Sequence, residues 1–164
     1  MASIGHVAVG LALSRTAPPA WKTRFVLAAL ALAPDADVAA FAFHIPYAAT
    51  FGHRGATHSF VFAAVLAAAV TPFAKRLQLS YFKTFVVAFA ALASHGILDA
   101  MTTGGLGPAL LWPFSNDRLF LGWRPIPVAP IGVRVLHLSG LKLMLNEALL
   151  FLPFWLIAFF PRRK

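Results

Sequence analysis

The chain has 164 residues, of which 60% are hydrophobic and 12% are charged, and its mean hydropathy is +0.77. Soluble domains carry about twice that share of charged residues, so the composition predicts an integral membrane protein folded as one domain over residues 1–164. The net charge of +9 comes from basic residues in short clusters between apolar runs. This pattern is typical of charges that set membrane topology and not of nucleic-acid binding. The chain has no cysteine, which excludes disulfides and thiolate metal sites.

The first apolar run, residues 3–14, predicts a short membrane-embedded helix that carries His6. Arg15 and two prolines follow it. A signal peptide is the alternative interpretation, but such a peptide carries its basic residues before the apolar run, whereas here they come after it. A retained helix therefore fits the order of the residues better.

The second apolar run, residues 25–45, is interrupted by Pro34, Asp35 and Asp37. Proline removes a backbone hydrogen bond and kinks or ends a helix. The alternative is a loop with the aspartates as helix caps, but a cap needs one aspartate and gains nothing from a second. Because carboxylates inside hydrocarbon are costly, both are candidate functional residues.

A polar sequence, HRGATHS at residues 53–59, precedes the third apolar run. It contains His53, Arg54 and His58, and Thr57 is the predicted N-cap of the helix that follows. Polar side chains at the depth of a membrane helix tend to be functional. We therefore expect this sequence to contribute to a site at or inside the membrane.

The fourth helix is predicted over residues 82–101 and carries His95 and Asp99 at a spacing of four, which places both side chains on one face. A buried hydrogen-bonded pair is the alternative to a pair of ligands. Residues 102–140 are rich in Gly, Pro and Trp, which indicates a long ordered loop at the membrane interface.

The last helix is predicted over residues 141–160 and carries Glu147. Five helices alternating across the bilayer place the basic clusters on one side, which the positive-inside rule makes cytoplasmic. At about 1.5 Å per residue, seven ionisable side chains then lie roughly 13–25 Å from that side: His6, Asp35, Asp37, His58, His95, Asp99 and Glu147. This convergence predicts a shared site toward the extracytoplasmic side, whereas His44 and His137 are expected at the interface.

The motifs occur in an order that resembles the bacterial inner-membrane metal-dependent hydrolases known as LexA-regulated membrane-bound hydrolases. They are His6, PDAD at 34–37, HRGATHS at 53–59, SHGILD at 94–99 and WPFS at 112–115. The resemblance covers roughly residues 1–117 and implies a multi-pass protein with metal-dependent hydrolase activity on poorly defined substrates. A looser resemblance, to the zinc-dependent phospholipase C and single-strand nuclease superfamily, implies these ligands: His6, one of Asp35 and Asp37, His58, His95 and Asp99.

The residues and the resemblance together predict an all-α, polytopic membrane bundle of about five helices, with a long ordered loop between the last two. We expect one or two divalent ions, with zinc favoured by imidazole and carboxylate ligands. The expected ligands are His6, Asp35, His53, His58, His95 and Asp99. The candidate catalytic residues are Asp37, Glu147 and Arg54, whose planar guanidinium suits a phosphate.

The expected function is hydrolysis, by metal-activated water, of a phosphoester or phosphoanhydride of a membrane lipid. The expected location is the bacterial inner membrane, with the site toward the extracytoplasmic side and no nucleic-acid partner. A homodimer is left open. The alternative function is a small intramembrane carrier that couples to protons or ions through the same His, Asp and Glu residues.

Overall fold

The computed structural model describes residues 3–128 and 137–161. Within these ranges the chain forms six α-helices and no strand, which confirms the all-α prediction. The helices are α1 (Ser3–Leu13), α2 (Trp21–Leu32), α3 (Phe60–Val70), α4 (Tyr81–Ala100), α5 (Leu138–Leu150) and α6 (Leu152–Phe159).

Three of the α-helices continue without a break as 3₁₀ helices: α1 as the short segment Ser14–Thr16, and α2 and α3 as longer segments. Ala33–Phe43 follows α2 and Thr71–Leu77 follows α3, each with a proline in its first turn. Proline has no N–H to donate, so the α-helical hydrogen bonding cannot continue unchanged past it. Asp35 and Asp37 therefore lie on a helical segment inside an apolar span and not in a loop between two helices.

Three helical segments are long and apolar enough to cross a membrane: Trp21–Phe43, Phe60–Leu77 and Tyr81–Ala100. The pair α5 and α6 makes a fourth span if it is counted as one, although it is bent by 64°. Pro153 lies in the first turn of α6 and accounts for the bend. With 11 residues, α1 is too short to cross alone. All five predicted helical segments are therefore present, and three or four are long enough to span.

The start of α3 lies later than the sequence predicts. Ser59, and not Thr57, is its N-cap, because the Ser59 hydroxyl accepts a hydrogen bond from the Phe62 backbone N–H at 3.0 Å. Thr57 instead donates to Asp37 Oδ2 at 2.6 Å. The hydroxyl of Thr57 thus belongs to the polar site and not to the helix end.

The larger apolar core lies between α2, α3 and α4 and is rich in alanine. Ala31, Ala67 and Ala91 have no exposed surface. Lipid is as apolar as the core, so the hydrophobic effect does not drive membrane helices together. Such helices associate through close packing, which small side chains permit. Gly10 serves the same purpose between α1 and α2, since a Cβ there would lie 2.6 Å from the Leu27 carbonyl oxygen. This packing brings α1, the segment Ala33–Phe43 and the end of α4 together.

Candidate metal centre

Four side chains converge from three parts of the chain, and we call them the primary cluster. Asp35 comes from the 3₁₀ segment after α2, His58 from the turn before α3, and His95 and Asp99 from α4. Each offers one ligand atom, and these atoms all lie within 4.8 Å of one another. The fold therefore brings together four of the six residues that the sequence predicts as metal ligands.

The primary cluster is enclosed on all sides except at Asp35. The Asp35 side chain is 25% exposed, whereas those of His58 and His95 are fully buried. Asp35 lies on the span Trp21–Phe43, where its neighbours Ala36 and Val38 are exposed and apolar. The cluster thus opens toward the surface of a membrane span and not toward a polar loop.

The backbone sets the orientation of His95. Its Nδ1 lies 2.7 Å from the Ala31 carbonyl oxygen, to which it donates a hydrogen bond. The other nitrogen, Nε2, then carries a lone pair and lies 3.2 Å from Asp35 Oδ1, with no hydrogen-bond partner. Two acceptors at this distance repel each other unless positive charge lies beside them. In metalloproteins, a histidine that binds a metal through one ring nitrogen often donates a hydrogen bond from the other nitrogen to a backbone carbonyl. His95 has this arrangement, so these residues fit a bound cation.

His58 connects the primary cluster to Asp37. Its Nε2 lies 3.4 Å from Asp99 Oδ2, while its Nδ1 lies 3.2 Å from Asp37 Oδ2. Burial alone would lower the pKa of His58, but the carboxylates of Asp35, Asp37 and Asp99 raise it to about 10. The surroundings of this imidazole therefore favour positive charge, which a bound divalent cation would supply in place of a proton.

Asp37 belongs to a second group of potential ligands, together with His53 and His58. Its carboxylate faces His53 Nδ1 at 2.7 Å and accepts hydrogen bonds from the Arg54 backbone N–H at 3.0 Å and the Thr57 hydroxyl at 2.6 Å. Both oxygens of Asp37 thus have partners, and its contact with His58 Nδ1 at 3.2 Å places it to orient that imidazole. That Asp37 is catalytic stays a prediction. His53 lies with Asp37, outside the primary cluster.

His6 lies against the primary cluster from the side of α1. Its ring stacks on that of His95, with centroids 3.6 Å apart and planes inclined by 8°. His6 Nε2 lies 3.9 Å from Asp99 Oδ1, and neither ring nitrogen of this fully buried residue has a hydrogen-bond partner. A buried imidazole without a hydrogen bond is unusual. A contact between a His6 ring nitrogen and a cation bound in the primary cluster would account for it.

Arg54 is 2% exposed, and its guanidinium bonds to the protein itself. Nη1 donates to the Thr102 hydroxyl at 3.0 Å and to the carbonyls of Gly104 and Leu106 at 3.2 and 3.0 Å. Nη2 donates to Asp99 Oδ1 at 3.0 Å. The Nη atoms of Arg54 thus face Asp99 and the chain that leaves α4, while its buried Nε has no hydrogen-bond partner. That Arg54 binds a phosphate stays a prediction.

Glu147 is fully buried and lies beside Gly5, the residue that precedes His6. Its Oε1 accepts a hydrogen bond from the Gly5 backbone N–H, in the first turn of α1, at 2.9 Å. A carboxylate is favoured at this end of a helix by the helix dipole. The structure thus places Glu147 as a link between α5 and the helix that carries His6, outside the primary cluster.

The sequence gives no sign of the role of Arg118. Its guanidinium donates to four backbone carbonyls of the loop before α3, those of Ala48, Ala49, His53 and Arg54. It thereby ties the long loop after α4 to the loop that positions His58. Backbone carbonyls leave no pattern in a sequence, so the partners of a single loop arginine cannot be identified in advance.

The family comparison agrees with this architecture. A model of the YdjM inner membrane protein family matches residues 1–162. The chain belongs to that family. Inner membrane protein YbcI of Escherichia coli (strain K12) is 39% identical over 136 residues, which cover 79% of this chain and 78% of that protein. No solved structure matches. The predicted location in the bacterial inner membrane, with helical spans, is therefore confirmed.

Proposed function

We propose that the chain is a membrane-embedded, metal-dependent hydrolase that cleaves a phosphoester or phosphoanhydride of a membrane lipid. The primary cluster carries this proposal, because two imidazoles and two carboxylates offer ligand atoms within 4.8 Å of one another. Carboxylates buried among membrane helices are costly without a compensating cation. A donor set of imidazole and carboxylate suits zinc.

The contacts support a role in this proposal for each residue around such an ion. Asp35, His58, His95 and Asp99 would hold it, and His6 lies close enough to Asp99 to join them. A bound ion of this kind lowers the pKa of its water to about 7 and polarises a phosphoryl oxygen. One ion per chain fits better than two, because the second group shares His58 with the first.

Arg54 acts in this proposal as a positioning residue. Its bond to Asp99 Oδ1 holds that carboxylate so that Oδ2 faces the Nε2 atoms of His58 and His95, at 3.4 and 3.8 Å. The same guanidinium donates to the carbonyls of Gly104 and Leu106, so it also ties Asp99 to the start of the long loop. In this proposal a bound ion, and not Arg54, would contact the substrate phosphate.

The open edge at Asp35 supports a lipid as the substrate. The exposed residues beside it, Ala36, Val38 and Ala39, are apolar and lie on a span. A water-soluble substrate would have to cross hydrocarbon to reach this edge, which is unfavourable for a charged molecule. A membrane lipid could reach this edge by moving within the bilayer, without leaving it.

The test combines metal analysis with an assay of lipid hydrolysis. Purified protein in detergent is expected to contain one zinc ion per chain and to release phosphate or headgroup from some member of a panel of phospholipids and lipid-linked phosphates. A chelator should stop the release, and Asp99→Asn should abolish it. Asp117→Asn, which changes an exposed carboxylate outside the cluster, is the matched control and should behave like the parent.

Two results would count against the proposal. If metal-replete protein is inert on every phosphate-containing lipid, the substrate would instead be another ester or an amide. Protein that binds no metal, but moves protons across vesicles in an Asp99-dependent way, would favour the carrier.

A further inference from the structure

A groove lies between α2 and the end of the Phe60–Leu77 span, away from the metal centre. Its volume is about 360 Å³, and its walls include Trp21, Phe25 and Phe73 with Lys22 and Arg76 beside them. We call it the basic-side groove, because the basic clusters of the sequence occur at this end of the spans. The Thr23 hydroxyl fixes its two walls by donating to the Leu77 carbonyl at 3.1 Å.

The position of the groove along the spans indicates what its walls contact. Trp21 is the first residue of one span, and Phe73 lies in the last turns of the next. Trp21, Phe25 and Phe73 are 73%, 68% and 50% exposed. Exposed aromatic side chains at the ends of membrane spans belong to the interface between headgroups and acyl chains. The groove therefore opens to lipid at one membrane surface.

The charges of the groove have no counterpart in the described part of the chain. Lys22 lies over the Trp21 ring, 5.9 Å from its centroid, and Arg76 lies over the Phe73 ring at 5.6 Å. Neither forms an ion pair among the described residues, and none of the five acidic residues of the sequence lines the groove. Aromatic contacts hold the two cations in place and leave their charge available to an anion.

We propose that the basic-side groove binds an anionic phospholipid. An acyl chain would lie against Trp21, Phe25 and Phe73, and the phosphate headgroup between Lys22 and Arg76. Charge complementarity selects an anionic lipid over a zwitterionic one. The site lies about 20 Å along the span from Asp35, so it does not depend on the hydrolase proposal.

The test measures lipid binding directly. The full-length protein in detergent micelles is titrated with phosphatidylglycerol or phosphatidylcholine, and bound lipids are counted by native mass spectrometry. We expect tighter binding of phosphatidylglycerol. Each cation contributes about 5-fold, so the double change Lys22→Gln with Arg76→Gln should weaken phosphatidylglycerol binding about 25-fold and leave phosphatidylcholine binding unchanged.

Two further variants separate the groove from general surface charge. Arg24→Gln with Lys75→Gln removes the same charge from the same two helical segments outside the groove, and should bind phosphatidylglycerol like the parent. Lys22→Arg with Arg76→Lys keeps both charges and should restore the affinity. Circular dichroism checks that every variant keeps its helical content.

Three results would overturn the proposal. They are a parent protein without preference for phosphatidylglycerol, equal losses in the two double-glutamine variants, and a lipid-free dimer whose contact the groove mutations break. The last result would assign the groove to a second copy of the chain.

Discussion

At the scale of single residues, the histidines separate by what surrounds them. His95 is held by the Ala31 carbonyl and His58 by Asp37, and both direct Nε2 into the primary cluster. His44 and His137, which the sequence predicts as interfacial, are exposed and lie outside both groups of potential ligands. Burial and orientation therefore distinguish the candidate ligand histidines from His44 and His137, and mutation can test this distinction.

Replacing His95 with glutamine should remove most of the bound metal. Glutamine keeps much of the side-chain volume but provides no imidazole lone pair for the ion. His44→Gln is the matched control and should keep the metal content of the parent, since His44 is exposed. Elemental analysis of the purified proteins gives the result. Equal metal loss in both variants would contradict the assignment of the primary cluster.

Asp37→Asn should weaken metal binding about 10- to 100-fold without abolishing it, which is the usual effect of removing a group that orients a ligand. The loss follows from the contact of Asp37 with His58 Nδ1 at 3.2 Å. Asp35→Asn should have a larger effect, because Asp35 belongs to the primary cluster. Competition with a chelator of known affinity measures both. A larger loss for Asp37→Asn would exchange the roles of the two aspartates.

At the scale of the elements, the site depends on how closely α4 approaches the turn that carries His58. Gly96 permits this approach, because a Cβ there would lie 2.5 Å from the His58 carbonyl oxygen and 2.8 Å from Leu110 Cδ2. The contact is to backbone, which cannot move aside as a flexible side chain does. The glycine in SHGILD thus has a packing role next to a candidate ligand.

Gly96→Ala should therefore impair metal binding while the helix itself persists. Alanine favours a helix over glycine by about 1 kcal/mol, so the substitution should not unfold α4 locally. Its methyl group should push the His58 turn away from His95 and Asp99. Gly122→Ala is the control, since nothing lies within 4 Å of a Cβ at that position. Metal content and circular dichroism together decide, and a metal-replete Gly96→Ala protein would show that the contact relaxes at no cost to the site.

The sequence predicts the elements better than the contacts between them. The fourth helix, expected over residues 82–101, is found at Tyr81–Ala100, because its long apolar run at residues 85–93 contains neither proline nor glycine. The cap of α3 is misassigned because Thr57 finds a partner in Asp37, 20 residues earlier. The contacts of Arg54 are missed for the same reason, since Thr102 lies 48 residues later. Local pattern does not reveal such distant acceptors.

At the scale of the whole molecule, acids and bases separate along the spans. Asp35 and Asp99 lie toward one end, close to the loop after α4, whereas Lys22, Lys75 and Lys83 lie at the other end. A bilayer around the three spans would place these two ends on opposite sides. The positive-inside rule then predicts which end faces the cytoplasm.

The orientation can be tested with single cysteines, because the chain contains none of its own. Asp117 and Lys83 are exposed at opposite ends of the bundle, whereas Arg54 is too buried to report. We expect an impermeant maleimide to label Asp117→Cys in intact spheroplasts. Lys83→Cys should be labelled only after the membrane is permeabilised, because the basic end should face the cytoplasm. Labelling of Lys83→Cys in intact spheroplasts, with Asp117→Cys protected, would invert the topology. The candidate metal centre would then open to the cytoplasmic leaflet, and the basic-side groove to the opposite one.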